Sequence, residues 1–393
     1  MLRATVFSRF KESERANMKI VLAPDSFKEC MSAQEAARAM KEAVHRVNGD
    51  VDVTLLPVAD GGEGTLEVLT YATNGKTFKK TVTGPLGEPV TATYSILGDQ
   101  KTAVVEMAQA SGLHLVAPDN RNPLLTTTFG TGELMKAALR HDISNLIVTI
   151  GGSATNDCGI GMLQALGVKV TTKSNVSIGF GGGSLGEVEH IDLSEIEPKL
   201  KKVKLSIACD VTNPLIGPKG ASHIFGPQKG ATPSVVEQLD KNLSHVSTIL
   251  EKVTGKRLKD IPGAGAAGGL GAALLVCGGE LKPGIDLVLD ALHFEEKVSG
   301  ANFIFTGEGR IDHQTPGGKV IAGIVKRANK ERIPVIAFAG SVKTGYESLY
   351  NEGLLSAHSI TLAPCSLEEA LANGRENLAH TAESIMRVLT CKF

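Results

Sequence analysis

Short apolar runs alternate with helical patterns at both ends of this chain, and glycine-rich turns join them. Residues 19–23 and 51–58 are strand-like, and a helical pattern at residues 32–47 separates them. From residue 302 to near the C-terminus the same alternation returns. This pattern predicts a parallel sheet covered by helices on both faces, with ligands outside the carboxyl ends of the strands.

The middle of the chain has a different pattern. Between residues 77 and 107 three alternating strands are joined by short turns, and further strands and helices follow. We therefore predict an α/β fold in which a Rossmann-like parallel-sheet domain is formed by both chain ends, residues 18–83 and 291–393. A second α/β domain is inserted at residues 84–290, and the active-site cleft is expected between the two. A chain of 393 residues fits two domains at about 150 residues each.

The charge balance excludes several classes of partner. With 41 Lys+Arg against 42 Asp+Glu, the formal net charge is -1, so we expect no nucleic-acid partner and no anionic-membrane partner. The longest apolar run, at residues 270–277, is too short to cross a bilayer of roughly 30 Å. Six cysteines without a Cys-x-x-Cys pair fit a reducing compartment. The expectation is a cytoplasmic protein that binds a small molecule, and a homodimer is left open.

The first 17 residues do not belong to this pattern. They lack the apolar stretch of a secretory signal, and Glu12 and Glu14 argue against an organellar transit peptide. Met18 opens the first strand-like segment, so a start codon placed too far upstream explains the extension most simply. We expect residues 1–17 to be a disordered extension and exclude them from the fold prediction.

One glycine loop, with the sequence GGSATND, lies between an apolar strand and a predicted helix. In that position free main-chain N–H groups and the positive helix end can hold an anion. Glycines in such a turn can also serve tight packing alone, but small and polar residues fill this whole loop. Hydroxyls of the nearby segment 126–135 could line the same site. The residues predicted to bind nucleotide phosphates here are Gly151, Gly152, Ser153, Thr155, Asn156 and Asp157.

Other glycine-rich segments do not match known nucleotide motifs. Residues 263–268 fit the spacing G-x-G-x-x-G, but proline and a polar stretch precede them where a dinucleotide site needs a strand. Residues 317–319 read GGK, but Val320 follows where a P-loop needs Ser or Thr. Residues 179–186 are expected to form a surface loop. A nicotinamide site and a P-loop kinase are therefore excluded.

Acidic residues at predicted strand ends and in glycine turns are the candidates for catalysis. Phosphoryl transfer needs Mg²⁺ held by acidic oxygens and a carboxylate that takes the proton of the acceptor hydroxyl. Each acid alone could instead cap a helix, but the set favours chemistry. The predicted catalytic residues are Asp60, Asp210, Glu308 and Asp312, and the predicted metal ligands are Glu63, Asp210 and Glu308. Which acid is the base and which acids hold the metal stays open.

Lysines beside these turns can neutralise a phosphate or bind a carboxylate. Lys319, in the GGK segment, is assigned to the nucleotide. The turn after the first strand and the ADGGEGT segment would contact the substrate together with one distant lysine. The predicted substrate-binding residues are Asp25, Ser26, Lys28, Gly61, Gly62 and Lys229.

Ten motifs, in order between residues 25 and 312, make the chain resemble the bacterial type of glycerate kinase, the glycerate kinase type 1 family, and the resemblance extends from Met18 to near the C-terminus. The motifs are DSFKE (25–29), ADGGEGT (59–65), TGPLGEPV (83–90), EMAQASGL (106–113), GTGEL (130–134), GGSATND (151–157), CDVTNPLIG (209–217), FGPQKGA (225–231), GAGAAGGLG (263–271) and TGEGRID (306–312). Two positions depart from the family pattern. Cys158 stands where glycine is expected, and KVIAG (319–323) lacks the usual proline.

The resemblance implies an ATP-dependent, Mg²⁺-requiring phosphorylation of D-glycerate in glyoxylate and sugar-acid metabolism. It favours 2-phosphoglycerate over 3-phosphoglycerate as the product. It also implies a Rossmann-like domain with a second α/β domain inserted. Two alternatives stay open: a kinase for another small hydroxy acid, and a non-catalytic sensor of nucleotides or carboxylates.

Overall fold

The computed structural model describes residues 18–391, and the extension predicted at residues 1–17 lies outside them. Its strands are Lys19–Leu22 (β1), Asp52–Leu55 (β2), Lys76–Thr83 (β3), Pro89–Ile96 (β4), Thr102–Glu106 (β5), Asn145–Thr149 (β6), Lys169–Thr171 (β7), His190–Asp192 (β8), Lys204–Ala208 (β9), Glu280–Lys282 (β10), Phe303–Ile311 (β11), Val335–Val342 (β12) and Leu354–Ser359 (β13).

The α-helices are Ala33–Val47 (α1), Thr65–Thr73 (α2), Ala108–Ser111 (α3), Phe129–Ala138 (α4), Ile160–Ala165 (α5), Ala221–Phe225 (α6), Pro233–Thr254 (α7), Ala266–Val276 (α8), Gly284–Ala291 (α9), Phe294–Val298 (α10), Val320–Lys330 (α11), Leu367–Ala372 (α12) and Gly374–Thr390 (α13). Short 3₁₀ turns lie at Leu113–Leu115, Pro118–Asn120, Ser184–Glu187, Pro198–Lys202, Pro227–Lys229, Thr315–Gly317 and Glu347–Asn351. Within the described part of the chain, no helix combines the length and the apolar character needed to span a membrane.

The described chain divides into two compact units, and the first consists of residues 18–60 together with residues 288–391. Its five-stranded sheet has the order β13-β12-β11-β1-β2, and every pairing is parallel. Numbered within the unit, this is the doubly wound order 2-1-3-4-5, in which the winding direction reverses between β1 and β11. The predicted α/β fold with a parallel sheet is confirmed, and the reversal marks where a ligand is expected.

The core of this first unit follows from its sequence pattern. Strand β11 begins with the buried run Phe303–Thr306, as expected for a strand covered on both faces. Helix α1 buries a face rich in alanine, which allows close packing, and begins at the predicted capping box of Ser32 and Glu35. Phe305 and Phe338 lie at the centre with ring centroids 5.4 Å apart.

The second unit spans Gly61–Leu287. Its six-stranded sheet has the order β10-β9-β6-β5-β4-β3, antiparallel from β3 to β5 and parallel from β5 to β10. A small sheet of β7 and β8 accompanies it. The sequence prediction put the first domain boundary at residue 83, whereas the units divide after Asp60. The reason is that β3 pairs with β4 over its whole length, from Lys76 to Thr83.

The glycine-rich stretch 179–186 forms the predicted surface loop at the exposed Gly179, Phe180 and Gly186, but its middle is packed against neighbouring segments. Gly181 and Gly182 are buried. A side chain at Gly181 would collide with the main chain of Leu124 and Leu125, and one at Gly182 would collide with the carbonyl of Asn156. These glycines allow a close approach of backbones. The cleft predicted between the two domains stays a prediction.

Candidate active site

In the first unit, three carboxylates lie toward the carboxyl ends of three adjacent parallel strands. Asp25 follows β1, Asp60 follows β2, and Glu308 lies in β11. The main-chain N–H of Asp25 donates to the carbonyl of Gly307 (2.8 Å), which ties the turn after β1 to β11. We call Asp25, Asp60 and Glu308 the carboxylate cluster. It lies beside the reversal point of the sheet, where such folds bind ligands.

Burial and the repulsion between neighbouring carboxylates govern the electrostatics of the carboxylate cluster. Burial, together with the charge of Asp60, raises the pKa of Asp25 to about 7. Burial and the neighbouring Asp25 raise the pKa of Glu308 to about 8, although Lys319 acts in the opposite direction. The Oε1 atom of Glu308 is buried and has no hydrogen-bond partner among the described residues. Such an oxygen can accept a proton or a cation.

The two other charged residues predicted on this strand and its following turn have different surroundings. The side chain of Asp312 is buried, and its carboxylate pairs with Arg310 Nε (2.9 Å) and accepts the N–H of Gln314 (2.9 Å). The hydrogen bond from Gln314 holds the pKa of Asp312 below its usual range. Its contacts stabilise the turn. Lys319 is exposed, directly before helix α11, and its charge acts on Glu308.

The turn after β1 carries the predicted substrate residues Ser26 and Lys28. Both are exposed, and the turn is closed by hydrogen bonds between Phe27 and Met31. The ring of Phe27 packs beside Gly307, where a Cβ atom would lie 3.0 Å from it. The first unit thus brings together Asp25, Asp60, Glu308 and Lys319, with Ser26 and Lys28 on the turn that follows Asp25.

In the second unit, the glycine loop 151–157 turns its side chains inward. Every residue from Ser153 to Asp157 is buried, whereas Gly152 is exposed and has a φ of +72°. The main chain is tied to the neighbouring segment by Leu113 N–H to Gly152 O (2.8 Å) and Ala154 N–H to Ser111 O (2.9 Å). The accessible part of this loop is therefore main chain at its two glycines.

Asp157 closes the loop from inside the protein. Its carboxylate accepts hydrogen bonds from the N–H and the hydroxyl of Thr128 (2.8 Å each) and from the N–H groups of Gly159 (3.1 Å) and Gly161 (3.3 Å). Burial raises its pKa against these hydrogen bonds. The prediction that the helix start holds an external anion needs correction, because Asp157 binds the amides of Gly159 and Gly161.

The hydroxyls of the segment 126–135 also serve the interior. Thr126 donates to the carbonyl of Ala154 (2.9 Å), and Thr128 accepts the N–H of Met162 (2.9 Å). Asn156 contacts the hydroxyl of Ser222 (3.3 Å). The side chains of Ser153 and Asn156 thus bind protein groups that shape the loop, whereas the buried hydroxyl of Thr155 has no hydrogen-bond partner among the described residues.

Lys229, predicted to bind substrate, is 1% exposed. Its Nζ donates to the carbonyl of Thr155 (2.6 Å) and lies 2.7 Å from Ser153 Oγ. Burial lowers the pKa of the ammonium to about 7, although the charge of Asp157 acts in the opposite direction. This placement differs from the expectation that Lys229 binds a substrate carboxylate.

The turn 61–64 brings Glu63 to the same loop. Its exposed carboxylate lies so close to Gly152 that a side chain there would collide with Oε1. Gly61 has a φ of +91°, and a Cβ atom there would lie 2.5 Å from the Cα of Gly284. Asp210, the predicted catalytic residue of this unit, accepts the N–H of Gly284 (2.8 Å). Gly62 also lies against the glycine loop, because a Cβ atom at Gly151 would lie 3.4 Å from the Cα of Gly62. The turn thus contacts the loop through both Gly62 and Glu63.

Sequence reasoning missed Glu106 as a site residue. This buried carboxylate accepts the N–H groups of Gly64 (2.9 Å) and Leu66 (3.3 Å), where helix α2 begins without a capping side chain. Burial raises its pKa against these hydrogen bonds. A usable signal exists in the sequence, because Glu106 directly follows the apolar residues 103–105 at the end of the strand TAVVE. It positions the turn that carries Glu63.

The backbone at Cys158 explains why glycine is expected there. Its φ is +54°, in the left-handed region that favours glycine. The side chain is fully buried, and burial raises the pKa of the thiol to about 12. The thiol therefore fills space and is not a nucleophile.

The donor sets allow a limited test for Mg²⁺. Within residues 18–391, no three His, Cys, Asp or Glu side chains are arranged to hold a metal ion by themselves. Mg²⁺ usually binds to one or two carboxylates and to substrate phosphates, so a complete protein cage is not required. The unpartnered oxygen of Glu308, beside Asp25, fits one such position.

Comparison with known proteins agrees with this arrangement of motifs. Residues 20–390 match the model of the glycerate kinase family. Glycerate kinase of Bacillus subtilis (strain 168) is 51% identical over 369 residues, which cover 94% of this chain and 97% of that protein. Glycerate 2-kinase of Escherichia coli (strain K12) is 48% identical over 373 residues, 95% of this chain and 98% of that protein.

A solved structure gives the same result for the fold. The crystal structure of a Salmonella typhimurium LT2 protein assigned as glycerate kinase 2 superposes with a TM-score of 0.88 at 45% identity. The match covers 95% of this chain and 98% of that one. With a family match over nearly its whole length and curated relatives near 50% identity, this chain belongs to the glycerate kinase family.

Proposed function

We propose that this chain transfers the γ-phosphoryl group of ATP to a hydroxyl of D-glycerate, with 2-phosphoglycerate as the product. Membership of the family supports the reaction, and the name of the Escherichia coli relative, glycerate 2-kinase, supports the position. The structural observation that carries the proposal is the carboxylate cluster, in which Glu308 keeps a buried oxygen that no group within residues 18–391 hydrogen-bonds.

Within the carboxylate cluster, we assign to Asp60 the role of accepting the proton of the glycerate hydroxyl. Its side chain is exposed, so a small substrate can reach it. In the reaction the glycerate hydroxyl loses its proton to the Asp60 carboxylate as its oxygen bonds to the γ-phosphorus. The bond from that phosphorus to the bridging oxygen breaks, and ADP leaves.

Lys28 and Ser26 are assigned to the substrate. Both lie on the exposed turn that follows Asp25. A lysine there can hold the glycerate carboxylate by charge, and a hydroxyl can donate to it. Lys319 remains the candidate cation for the nucleotide, since its charge already acts on Glu308.

Glu308 and Asp25 would hold Mg²⁺, and Glu63 is a second candidate because it lies against the glycine loop. Bound there, Mg²⁺ would neutralise charge on the phosphoryl oxygens. A cation would also favour ionised Asp25 and Glu308, whose pKa values burial and neighbouring carboxylates raise to about 7 and about 8.

The main chain of the glycine loop is assigned to the ATP phosphates. The exposed position and left-handed backbone of Gly152 support this assignment, because N–H groups there can face an anion without an intervening side chain. The loop needs a cation nearby, since Glu63 alone would repel a phosphate.

A cytoplasmic location is also part of the proposal. All six cysteines are free of disulfide bonds, as expected in a reducing compartment. A homodimer stays open.

The test is an ADP-coupled assay of the full chain with ATP, Mg²⁺ and D-glycerate, followed by phosphorus NMR of the product. We expect turnover that depends on glycerate and a resonance of 2-phosphoglycerate. Turnover with a different hydroxy acid in a parallel screen would identify another acceptor. A folded protein that binds ATP in a thermal-shift assay and transfers no phosphate to any acceptor would refute the proposal and favour a sensor.

A further inference from the structure

Lys229 is an unusual lysine, because its whole side chain lies inside the second unit. It ends the 3₁₀ turn Pro227–Lys229 and is 1% exposed. Its Nζ contacts the hydroxyl of Ser153 (2.7 Å) and the carbonyl of Thr155 (2.6 Å), so it holds the loop on both sides of Ala154. The contacts join segments 74 to 76 residues apart in the sequence.

A buried amine is expensive for the fold, so its retention needs a reason. Taking an ammonium out of water costs several kcal/mol, and an apolar side chain of similar volume often replaces a buried charge without loss of stability. Here burial lowers the pKa of Lys229 to about 7, which reports that cost. Stability alone therefore does not explain a lysine at this position.

The shape of the glycine loop supplies the reason. The loop lies outside any helix or strand, with left-handed backbone at Gly152 and again at Cys158. Its accessible part is the main chain of Gly151 and Gly152, directly before Ser153. The direction of those N–H groups depends on how the following residues are held from inside.

We propose that Lys229 is a positioning residue that fixes the glycine loop, through Ser153 and the carbonyl of Thr155, in the shape that receives the ATP phosphates. The inference deepens the proposed function and rests on it. Lys229 touches neither substrate. It acts through the loop, and its loss should weaken the binding of ATP and leave the binding of glycerate nearly unchanged.

The competing role for Lys229 makes the opposite prediction. If its ammonium gripped the glycerate carboxylate, removing it would raise the KM for glycerate. If Lys229 served the fold alone, its replacement would lower the melting temperature and change neither KM. Separate KM values for the two substrates therefore distinguish the three roles.

The main variant is Lys229→Met, which keeps the length of the side chain and removes the donor. We expect a rise of about ten- to a hundred-fold in the KM for ATP, the scale of one or two lost hydrogen bonds from a charged group. The KM for glycerate should stay within roughly twofold of the starting value, since an indirect effect across the loop is well below one hydrogen bond. Lys256→Met is the matched control, because Lys256 Nζ also donates to a carbonyl, that of Leu275 (2.7 Å), but is exposed.

Ser153→Ala is the second variant and carries the test if Lys229→Met does not fold. It removes one of the two contacts, so the KM for ATP should rise in the same direction by a smaller factor. The KM for ATP of the double variant should be no higher than that of Lys229→Met, because the two residues act through one contact. Additive effects would overturn the proposal, as would an unchanged KM for ATP in both single variants.

Hydrogen exchange gives a readout that needs no turnover. Amides of residues 151–157 should exchange faster in Lys229→Met than in the unmodified protein and in Lys256→Met. If the unmodified protein phosphorylates no acceptor but this difference appears, the proposed function fails and the positioning of the loop stands. Equal exchange at residues 151–157, or a raised KM for glycerate alone, overturns the inference.

Discussion

The carboxylate cluster in the first unit and the glycine loop in the second hold their charges in opposite ways. Glu308 has a buried oxygen without a hydrogen-bond partner in the described part of the chain, and its pKa is raised to about 8 by burial and by other carboxylates. Asp157 is more deeply buried, but it accepts four hydrogen bonds from Thr128, Gly159 and Gly161. One oxygen of Glu308 thus has no hydrogen-bond partner among the described residues, whereas the carboxylate of Asp157 is held by four hydrogen bonds.

This difference separates two uses of an acidic residue that look alike in a sequence. A paired carboxylate such as Asp157 fixes the backbone around it, and its removal should damage the fold. The carboxylate cluster instead gathers acids whose burial and mutual repulsion raise the pKa values of Asp25 and Glu308, and removal of one of its acids should damage chemistry. The predictions below test this separation.

The largest effect is expected at Asp60. Asp60→Asn removes the proposed proton acceptor and should lower kcat by about 10²- to 10⁴-fold with little loss of stability. Steady-state kinetics with D-glycerate and a thermal melt measure the two quantities. Asp50→Asn, at an exposed turn of the same unit, is the control and should behave as the unmodified protein. A normal kcat would reduce Asp60 to a structural role.

The paired side of the comparison is tested at Asp157. Asp157→Asn places an amide donor against N–H groups that need an acceptor, and should lower the free energy of unfolding by about 2–4 kcal/mol. Urea unfolding measures the change. Asp192→Asn is a suitable control because Asp192 also accepts a main-chain N–H, that of Ser194 (2.8 Å), but at the exposed end of β8. Equal losses in the two variants would mean that burial of the hydrogen bonds does not matter.

The buried lysine gives a dependence on pH. Lys229 has a pKa of about 7 in the folded chain against 10.5 for an ordinary lysine, so between these values the unfolded chain binds a proton that the folded chain lacks. Stability from this group should therefore rise with pH across that window, by at most about 1.4 kcal/mol per pH unit. The free energy of unfolding of the unmodified protein and of Lys229→Met, measured at pH 7, 8 and 9, isolates the contribution of Lys229. Parallel curves for the two proteins would contradict the prediction.

The smallest effect is expected at Glu63, an exposed carboxylate beside Gly152. Glu63→Gln should raise the Mg²⁺ concentration for half-maximal rate by roughly two- to fivefold, the scale of an interaction at an exposed charge. A titration of Mg²⁺ at fixed ATP measures it. Glu67→Gln, exposed on the following helix, should show no shift. A shift of equal size in both variants would point to general charge and not to a ligand.

Much of the fold could be predicted because its signals are local. The apolar strands, the capping box of Ser32 and Glu35, and the glycine loop are all continuous segments. Helix α7 was missed although its buried Val236, Leu239 and Leu243 follow helical spacing. The domain boundary was misplaced because the pairing of β3 with β4 belongs to the sheet as a whole.

The site could be predicted as a set of residues but not as a set of environments. Lys28 and Lys229 each lie beside a turn in the sequence. Lys28 is exposed, however, whereas Lys229 is buried, with 1% of its surface accessible. Glu106 and Glu308 both belong to apolar strands. Only Glu106 receives two main-chain N–H groups, because helix α2 begins above it.

The sequence by itself determined the family, the alternation of strands and helices, and the positions of the acidic and glycine-rich turns, because these depend on neighbours along the chain. The tertiary structure decided which charges are paired and which way each side chain of the glycine loop faces. Burial and hydrogen bonding join residues that are distant in sequence, as Lys229 and Ser153 are, and no local pattern encodes them.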